Sequence, residues 1–435
     1  MRSLSDTQAP INTGGTPIKE STRRKALAAA VFGNVLEWYD FAVYGFFAAI
    51  IAKTFFSSTD EVTGLLAAFA TFGVGFLARP VGAIVIGRIG DIQGRKFALL
   101  LTMYLMAGST MLIGLIPSYA TIGVAATVAI VMARIVQGFS AGGEWGGATA
   151  FIVEWAHPSK RGFFGSFQQC SVAAGLLLGS ATAAAFSTML SPADLESWGW
   201  RIPFILGGVL GPVGLYMRRS IDETPAFKEA KSSQETERDE GSPQKLAAKA
   251  FGFAIIWNVI YYIFLSYMPT FSTTYLGLTR TEALWSNSIG LLTLVVSIPL
   301  MGKLSDRVGR KPLLIGCCIL FAVFSYPAFT YMLNNASFGL VVGMQIIFAL
   351  AIALFAGPGP AAIAEMFSTR GRSTWMSIGY SLATATFGGF APFIATWLIK
   401  TTGNAASPTY FVIGCALCSG LVIATLKETA HQKLQ

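Results

Sequence analysis

The chain has 435 residues, of which 53% are hydrophobic and only 12% charged, with a formal net charge of +9. Soluble domains carry about 25% charged residues, so half that share, with a mean hydropathy of +0.59, excludes an ordinary water-soluble domain. The basic residues lie in short turns between apolar runs, which argues against nucleic-acid binding. No Walker loop, G-x-S-x-G, H-E-x-x-H or metal-ligand cluster is present, so the sequence gives no sign of an enzyme.

A spanning helix needs about 20 mostly apolar residues. In chain order twelve runs qualify: 26–52, 62–87, 97–116, 121–154, 162–190, 201–217, 250–276, 283–302, 312–333, 337–364, 373–399 and 407–426. They are spans one to twelve below. The first follows Ser21-Thr22-Arg23-Arg24-Lys25, which superficially resembles an export signal. It also carries Glu37 and Asp40 and has no small-residue cleavage site, so it reads as a membrane helix. The prediction is an all-α membrane protein with twelve transmembrane helices in two six-helix pseudo-symmetric bundles. A polar tail, 1–25, precedes the first bundle, 26–217. A linker of mixed charge, 218–249, leads to the second bundle, 250–427, and a short tail, 428–435, ends the chain. Only Lys53, Arg201, Arg280 and Lys400 fall on the side opposite the N-terminus, and Arg79 and Arg134 lie within spans. The rest of the 31 Lys and Arg residues share the N-terminal side, which places both termini in the cytoplasm. Cys170, Cys317, Cys318, Cys415 and Cys418 all lie in apolar runs and read as buried structural thiols.

The two halves echo each other. After span two the chain reads Gly87-Arg88-Ile89-Gly90-Asp91-Ile92-Gln93-Gly94-Arg95-Lys96. After span eight it reads Gly302-Lys303-Leu304-Ser305-Asp306-Arg307-Val308-Gly309-Arg310-Lys311. Glu154 and Arg161 repeat as Glu365 and Arg372 at the same spacing. Such duplication fits parallel repeats about an axis along the membrane normal.

A charge at the bilayer centre costs about 2.5–3.5 kcal/mol on insertion scales. Glu37, Asp40, Arg79, Arg134 and Glu144 therefore need partners, a wet cavity or a function. Glu37 and Asp40 share a helix face, as do Arg134 and Gln137. Two arrangements fit. The charges could pair across helices and only hold the bundle together. Alternatively an arginine binds a substrate carboxylate bidentately while a carboxylate takes up a proton. The second reading assigns substrate contacts to Arg134, Arg79, Gln137, Asn34, Tyr44, Tyr261 and Tyr380, with Gln168 beside them. It assigns proton coupling to Asp40, Glu37 and Glu144. Asp91, Arg95, Glu154, Arg161, Asp306, Arg310, Glu365 and Arg372 lie at the cytoplasmic helix ends, where networks of surface ion pairs would latch a gate. Gly138, Gly142, Gly143, Gly146 and Gly147 suit close helix packing. Gly357-Pro358-Gly359-Pro360 should break span ten. The interior charges are expected to face a wet central cleft between the halves.

The duplicated turn resembles the signature of the major facilitator superfamily. Several further motifs resemble its metabolite:proton symporter branch, over residues 26–428. They are Gly33-Asn34-Val35-Leu36-Glu37-Trp38-Tyr39-Asp40-Phe41, Arg79-Pro80-Val81-Gly82, the run from Arg134 to Glu144, Trp198-Gly199-Trp200-Arg201, Glu223-Thr224-Pro225 and Phe387-Gly388-Gly389. Ile92 departs from the pattern, which usually has a basic residue there. The resemblance implies a proton-coupled symporter of a bacterial inner membrane, working by alternating access. It would carry citrate, another di- or tricarboxylate, 2-oxoglutarate, shikimate, or proline and betaine. A carboxylate such as citrate is the first reading. The short stretch before Gln435 lacks the long coiled coil of a proline/betaine member, although Tyr261-Tyr262 through Tyr267-Met268-Pro269 resembles that member. Span five has no Gly-Pro motif of the antiporter type, which favours symport. The expected partners are the lipid bilayer, the substrate and the proton. The expected state is a monomer with no cofactor, driven by the proton gradient.

Overall fold

The computed structural model describes residues 20–57, 60–93, 95–142, 144–156, 158–219, 243–367 and 372–430; these are helices and short turns, with no strand among them. Nine of the described helices are long and apolar enough to cross a membrane alone. Span one adds a bent pair, Val31–Phe46 and Ala48–Phe55, angled at 65°. Span three, Arg95–Leu115, and span six, Arg201–Arg219, complete the twelve. The helix of span one begins at Glu20 and that of span seven at Pro243, inside the expected tail and linker, and that of span six ends at Arg219; the tail to residue 19 and the stretch 220–242 lie outside the described residues.

Local chemistry fixes the helix ends. Asp60 caps span two by accepting the Thr63 N–H at 3.1 Å. Thr279 and Glu282 form a reciprocal capping box at the start of span eight, with N–H to side-chain distances of 2.9 and 3.2 Å. Span ten is interrupted between Ala356 and Gly359, as its Gly-Pro run predicts. Two features went unforeseen. Span seven contains a π-helical turn, Tyr262–Tyr267, and span eleven another, Thr384–Gly388. Such bulges often mark functional positions, and both lie where the halves face each other.

Glycines bring spans two and four together backbone to backbone. A Cβ on Gly138 would overlap the Gly75 carbonyl, and one on Gly142 the Arg79 carbonyl. This contact sets Arg79 and Arg134 on neighbouring helices.

The halves meet along two seams. Spans five and eight (Arg161–Met189 and Arg280–Val308) approach through Gly162 and Gly302. Farther along, the Ser180 hydroxyl receives Asn287 Nδ2 at 3.2 Å and the Ser288 hydroxyl at 2.9 Å. Spans two and eleven touch where Gly73 meets the Phe390 ring and Gly389 the Phe76 ring. Between the seams, rings interdigitate: Phe76 with Tyr262 at 5.3 Å, Phe69 with Tyr267 at 5.6 Å, Trp38 with Tyr262 at 6.5 Å. The expected open, wet cleft is therefore not what this structure presents. Aromatic side chains of both halves occupy that space, and the interior charges are covered. One further expectation needs correction: Cys317, Cys318 and Cys415 are buried and Cys170 is partly so, but Cys418 is exposed. It lies on an outward face of span twelve, where an apolar environment has no need of burial.

Candidate functional site

The interior charges come from spans one, two and four. Arg134 is fully buried and Arg79 nearly so. The Arg134 guanidinium lies over the rings of Tyr44, Phe72 and Phe41 at 4.5, 4.9 and 4.8 Å. That of Arg79 lies over Phe76, Phe41 and Trp38 at 4.5, 4.8 and 5.4 Å. Ring faces attract cations by about 2 kcal/mol or more when desolvated, which helps hold these arginines away from water.

Beyond the rings the two differ. Arg134 Nη1 donates to Gln137 Oε1 at 2.7 Å, and Gln137 Nε2 donates to the Thr110 hydroxyl at 2.7 Å. That hydroxyl lies beside the Asp40 carboxyl group. A polar relay thus runs Arg134–Gln137–Thr110–Asp40. Arg79 is only loosely paired, with Glu37 Oε1 3.8 Å away. Its Nε and Nη2 have no hydrogen-bond acceptor, and neither the Tyr262 hydroxyl nor the Trp145 indole N–H has a partner. Buried donors left open cost about 1–3 kcal/mol each, and convergent open donors mark where a polar ligand would be held. Tyr380 stacks on Trp145 at 3.6 Å and meets Trp257 edge-on at 5.6 Å, so spans four, seven and eleven close an aromatic box beside Arg79.

The other anticipated contacts scatter. Tyr44 lies under Arg134 and donates to the Ala68 carbonyl at 3.1 Å. Asn34 Nδ2 donates to Ser171 at 2.7 Å and ties span one to span five, away from the arginines. Tyr261 lies against Gln169 and Cys170 of span five and also against Tyr380 and Trp257 of the aromatic box. The side chains of Glu144, Asp91, Arg95, Glu154 and Arg372 lie outside the described residues. Trp38, Phe41, Phe72, Phe76, Trp145, Trp257 and Tyr262 were missed, because an apolar ring in an apolar span carries no sequence signal of a cage.

At the face bearing the 302–311 turn, four anticipated residues converge. Arg310 Nη1 meets Asp306 at 2.7 Å, Arg310 Nη2 meets Glu365 at 3.4 Å, and Arg161 Nη1 reaches Glu365 at 4.0 Å. Asp306 also accepts the backbone N–H groups of Gly162 and Phe163 at 2.8 and 2.9 Å, so the second half caps a helix of the first. The sequence suggested surface pairs. The four side chains are in fact at most 8% exposed, because helices from both halves cover them. Glu428 binds the Arg310 and Lys311 N–H groups at 3.0 and 2.9 Å. Burial would raise its pKa, but the N–H groups of Arg310, Ala430, Lys311 and Thr429 outweigh that and hold it below the ordinary value.

The opposite face is closed by less. Lys400 of span eleven binds Asp60 and Thr63 of span two, each at 2.8 Å. Lys400 and Thr63 hold the Asp60 carboxyl well below the usual carboxylate range.

Residues 25–250 match the family model described as "Sugar (and other) transporter", and residues 273–434 match that of the Major Facilitator Superfamily. The chain is 36% identical over 435 residues to the proline/betaine transporter of Escherichia coli (strain K12), covering 97% of this chain and 86% of that one. It is 35% identical over 419 residues to the citrate-proton symporter of Klebsiella pneumoniae, covering 94% and 93%. Among solved structures, the proton:xylose symporter XylE bound to 6-bromo-6-deoxy-D-glucose shares the fold. Its TM-score is 0.78 at 18% identity, covering 96% of this chain and 98% of that one.

Proposed function

The chain belongs to the major facilitator superfamily, and from that premise we propose that it is a proton-coupled symporter for a small zwitterion of the proline and betaine type. As a member it is a multi-pass membrane transporter and not an enzyme. The proposal sets the 302–311 turn on the cytoplasmic side of a bacterial inner membrane. The energy source is the proton gradient: one charge crossing 100 mV gains about 2.3 kcal/mol. No bound cofactor is needed.

The charge balance of the interior carries this reading. Among the described side chains, Glu37 and Asp40 offset Arg79 and Arg134, and all four come from the first half. A neutral zwitterion leaves that balance intact. Its carboxylate fits the open donors of Arg79, and its ammonium end would take the Trp145 ring face once the Tyr380 ring stacked on it at 3.6 Å moves aside. A multiply charged anion would need further cations, and the buried cation of the second half among the described residues, Arg310, is already held by Asp306 and Glu365 at the 302–311 turn. In this scheme Asp40 carries the proton. The charge networks at the two faces open in turn: Arg161, Asp306, Arg310 and Glu365 on one side, Asp60 and Lys400 on the other. A di- or tricarboxylate such as citrate is the second reading, supported by the citrate–proton relative at nearly the same identity. That reading requires Arg134 to leave Gln137 and face the ligand.

The test is uptake into proteoliposomes of labelled proline, glycine betaine and citrate, with the outside acid. Accumulation of the first two, not inhibited by citrate, is the expected outcome. Accumulation of citrate alone would replace the zwitterion with the second reading.

A further inference from the structure

Asp40 looks two ways. One side of its carboxyl group faces the Thr110 relay toward Arg134. The other oxygen, Oδ1, has no hydrogen-bond partner although the residue is only 4% exposed. Oδ1 faces Gly207 of span six, where a Cβ would collide with it. Gly207 is also part of the wall of a cavity of about 30 Å³ that does not belong to the aromatic box. Its polar lining is Glu37, Asp40, Thr102 and Ser140; Gly33 and Gly211 continue it along spans one and six. About 10–15 Å³ suffices for one water, so the cavity has room for water against both carboxyl groups.

The lining fixes its depth. From Asp40 to Gly33, span one runs back toward its own start, about 10 Å at 1.5 Å per residue. Thr102 and Met103 lie in the first half of span three, which begins at the 87–96 turn, and Met106 and Ala107 lie at its middle. Gly211 lies at the middle of span six, and Ser140 lies past the middle of span four, which runs to the same face. The cavity therefore runs from the middle of the first bundle toward the face with the duplicated turns. The substrate box lies instead between the bundles.

We propose that this cavity is a proton exit separate from the substrate path. The Asp40 carboxylic acid transfers its proton to a water held there, and the resulting hydronium passes its charge toward Gly33 and Gly211 on the cytoplasmic side. The O–H bond of the acid breaks, a water O–H bond forms, and the carboxylate is left facing Arg134. The charged groups around this step are Arg134 of span four and Glu37 of span one, the latter held by Arg79; Tyr39 is tied to the Pro203 carbonyl at 2.9 Å, and span five presents only neutral side chains. This inference rests on the symport reading above.

The test uses the full chain in proteoliposomes, with labelled proline and glycine betaine and a trapped pH dye. Ala107→Leu fills the cavity; Thr102→Val keeps its shape and removes a hydroxyl. Substrate exchange across a membrane without a pH gradient needs no net proton release. Both variants should keep exchange. Ala107→Leu should lose acid-driven accumulation and substrate-coupled proton flux by about 10²-fold, the scale of a disabled proton transfer; Thr102→Val should slow both together, by less. If Ala107→Leu loses exchange through misfolding, Thr102→Val decides. Wild-type proton flux in a variant that exchanges normally overturns the separate exit. The symport reading has its own control: accumulation surviving in Asp40→Asn defeats that reading, whereas accumulation lost in Asp40→Asn but intact in Ala107→Leu and Thr102→Val defeats only the exit.

Discussion

The first half of the chain carries Glu37, Asp40, Arg79 and Arg134 inside its helices, whereas the described interior of the second half is neutral. There the buried polar groups are Asn258, Asn287, Gln345 and hydroxyls. The second half puts Asp306, Arg310 and Glu365 at its end. Both halves descend from one pattern, so the difference is chemical rather than architectural. Buried charges are expensive unless paired and hydrogen-bonded. A bundle that keeps four of them must be one in which protonation and ligand charge matter. The neutral bundle supplies rings, backbone and a rigid partner to rock against.

The harshest way to break this contrast is to neutralise the acid at the end of the relay. Asp40→Asn should abolish acid-driven accumulation, a loss of more than about 10²-fold if it serves as the proton-transfer group, while exchange persists. Next in size is the clasp of the second half. Arg310→Ala leaves Asp306 and Glu365 as buried carboxylates deprived of their nearest cation, at about 3–5 kcal/mol. Thermal unfolding of the purified variant should register that as a clear drop; an unchanged midpoint would mean that these end charges are not structural.

Arg79→Lys keeps the charge but loses the planar fork and its stacking on Phe76 and Phe41. Lost hydrogen bonds to a charged group are worth about 1.5–3 kcal/mol, so half-saturation for the zwitterion should rise about tenfold or more. A matching change in Arg134→Lys, with none in Arg79→Lys, would move the ligand to the other arginine. In the neutral half, Gln345→Leu removes only a 3.4 Å bond to Asn287. It should cost about 1 kcal/mol and leave the proton-to-substrate ratio untouched; a changed ratio would show that coupling extends into the second bundle.

Much of this was legible in the residues. Apolar run lengths gave the spans, because hydrocarbon thickness dictates helix length. The pairing of Arg134 with Gln137 followed from helix periodicity. The repeated Glu365 and Arg310 pointed to an ion network, though not to its burial, since helices far apart in sequence provide the cover. The ring cage was invisible for a similar reason. A Phe that packs and a Phe that holds a guanidinium read alike until neighbouring spans are placed. The π-helical turns also escaped, as they preserve the apolar pattern and differ only in one extra residue per turn. Asn34 shows the converse: a polar residue in a span looked like a ligand contact, but the helix beside it satisfies it.

The smallest effect belongs to the face opposite the duplicated turns, where Lys400 and Asp60 form an exposed ion pair between the halves, beside the Thr281 and Trp285 hydrogen bonds to Ser187 and Thr188. Lys400 and Thr63 depress the pKa of Asp60. The interaction is therefore complete above the ordinary aspartate value, about 3.9, and fades only as pH falls through the still lower value of the folded state. Between pH 5 and 8 the pair stays ionised and contributes no slope to the pH profile, which must then come from the interior acids. Lys400→Ala should change the transport rate by less than about fivefold, as exposed pairs are weak. The shape of the pH profile should be unchanged. Raising salt from about 0.15 to 1 M shortens the screening length from about 8 to 3 Å and should reproduce the effect in the wild type but not in the variant. A profile that flattens in Lys400→Ala would instead place part of the pH response at this outer contact and blur the contrast between a charged bundle and a neutral one.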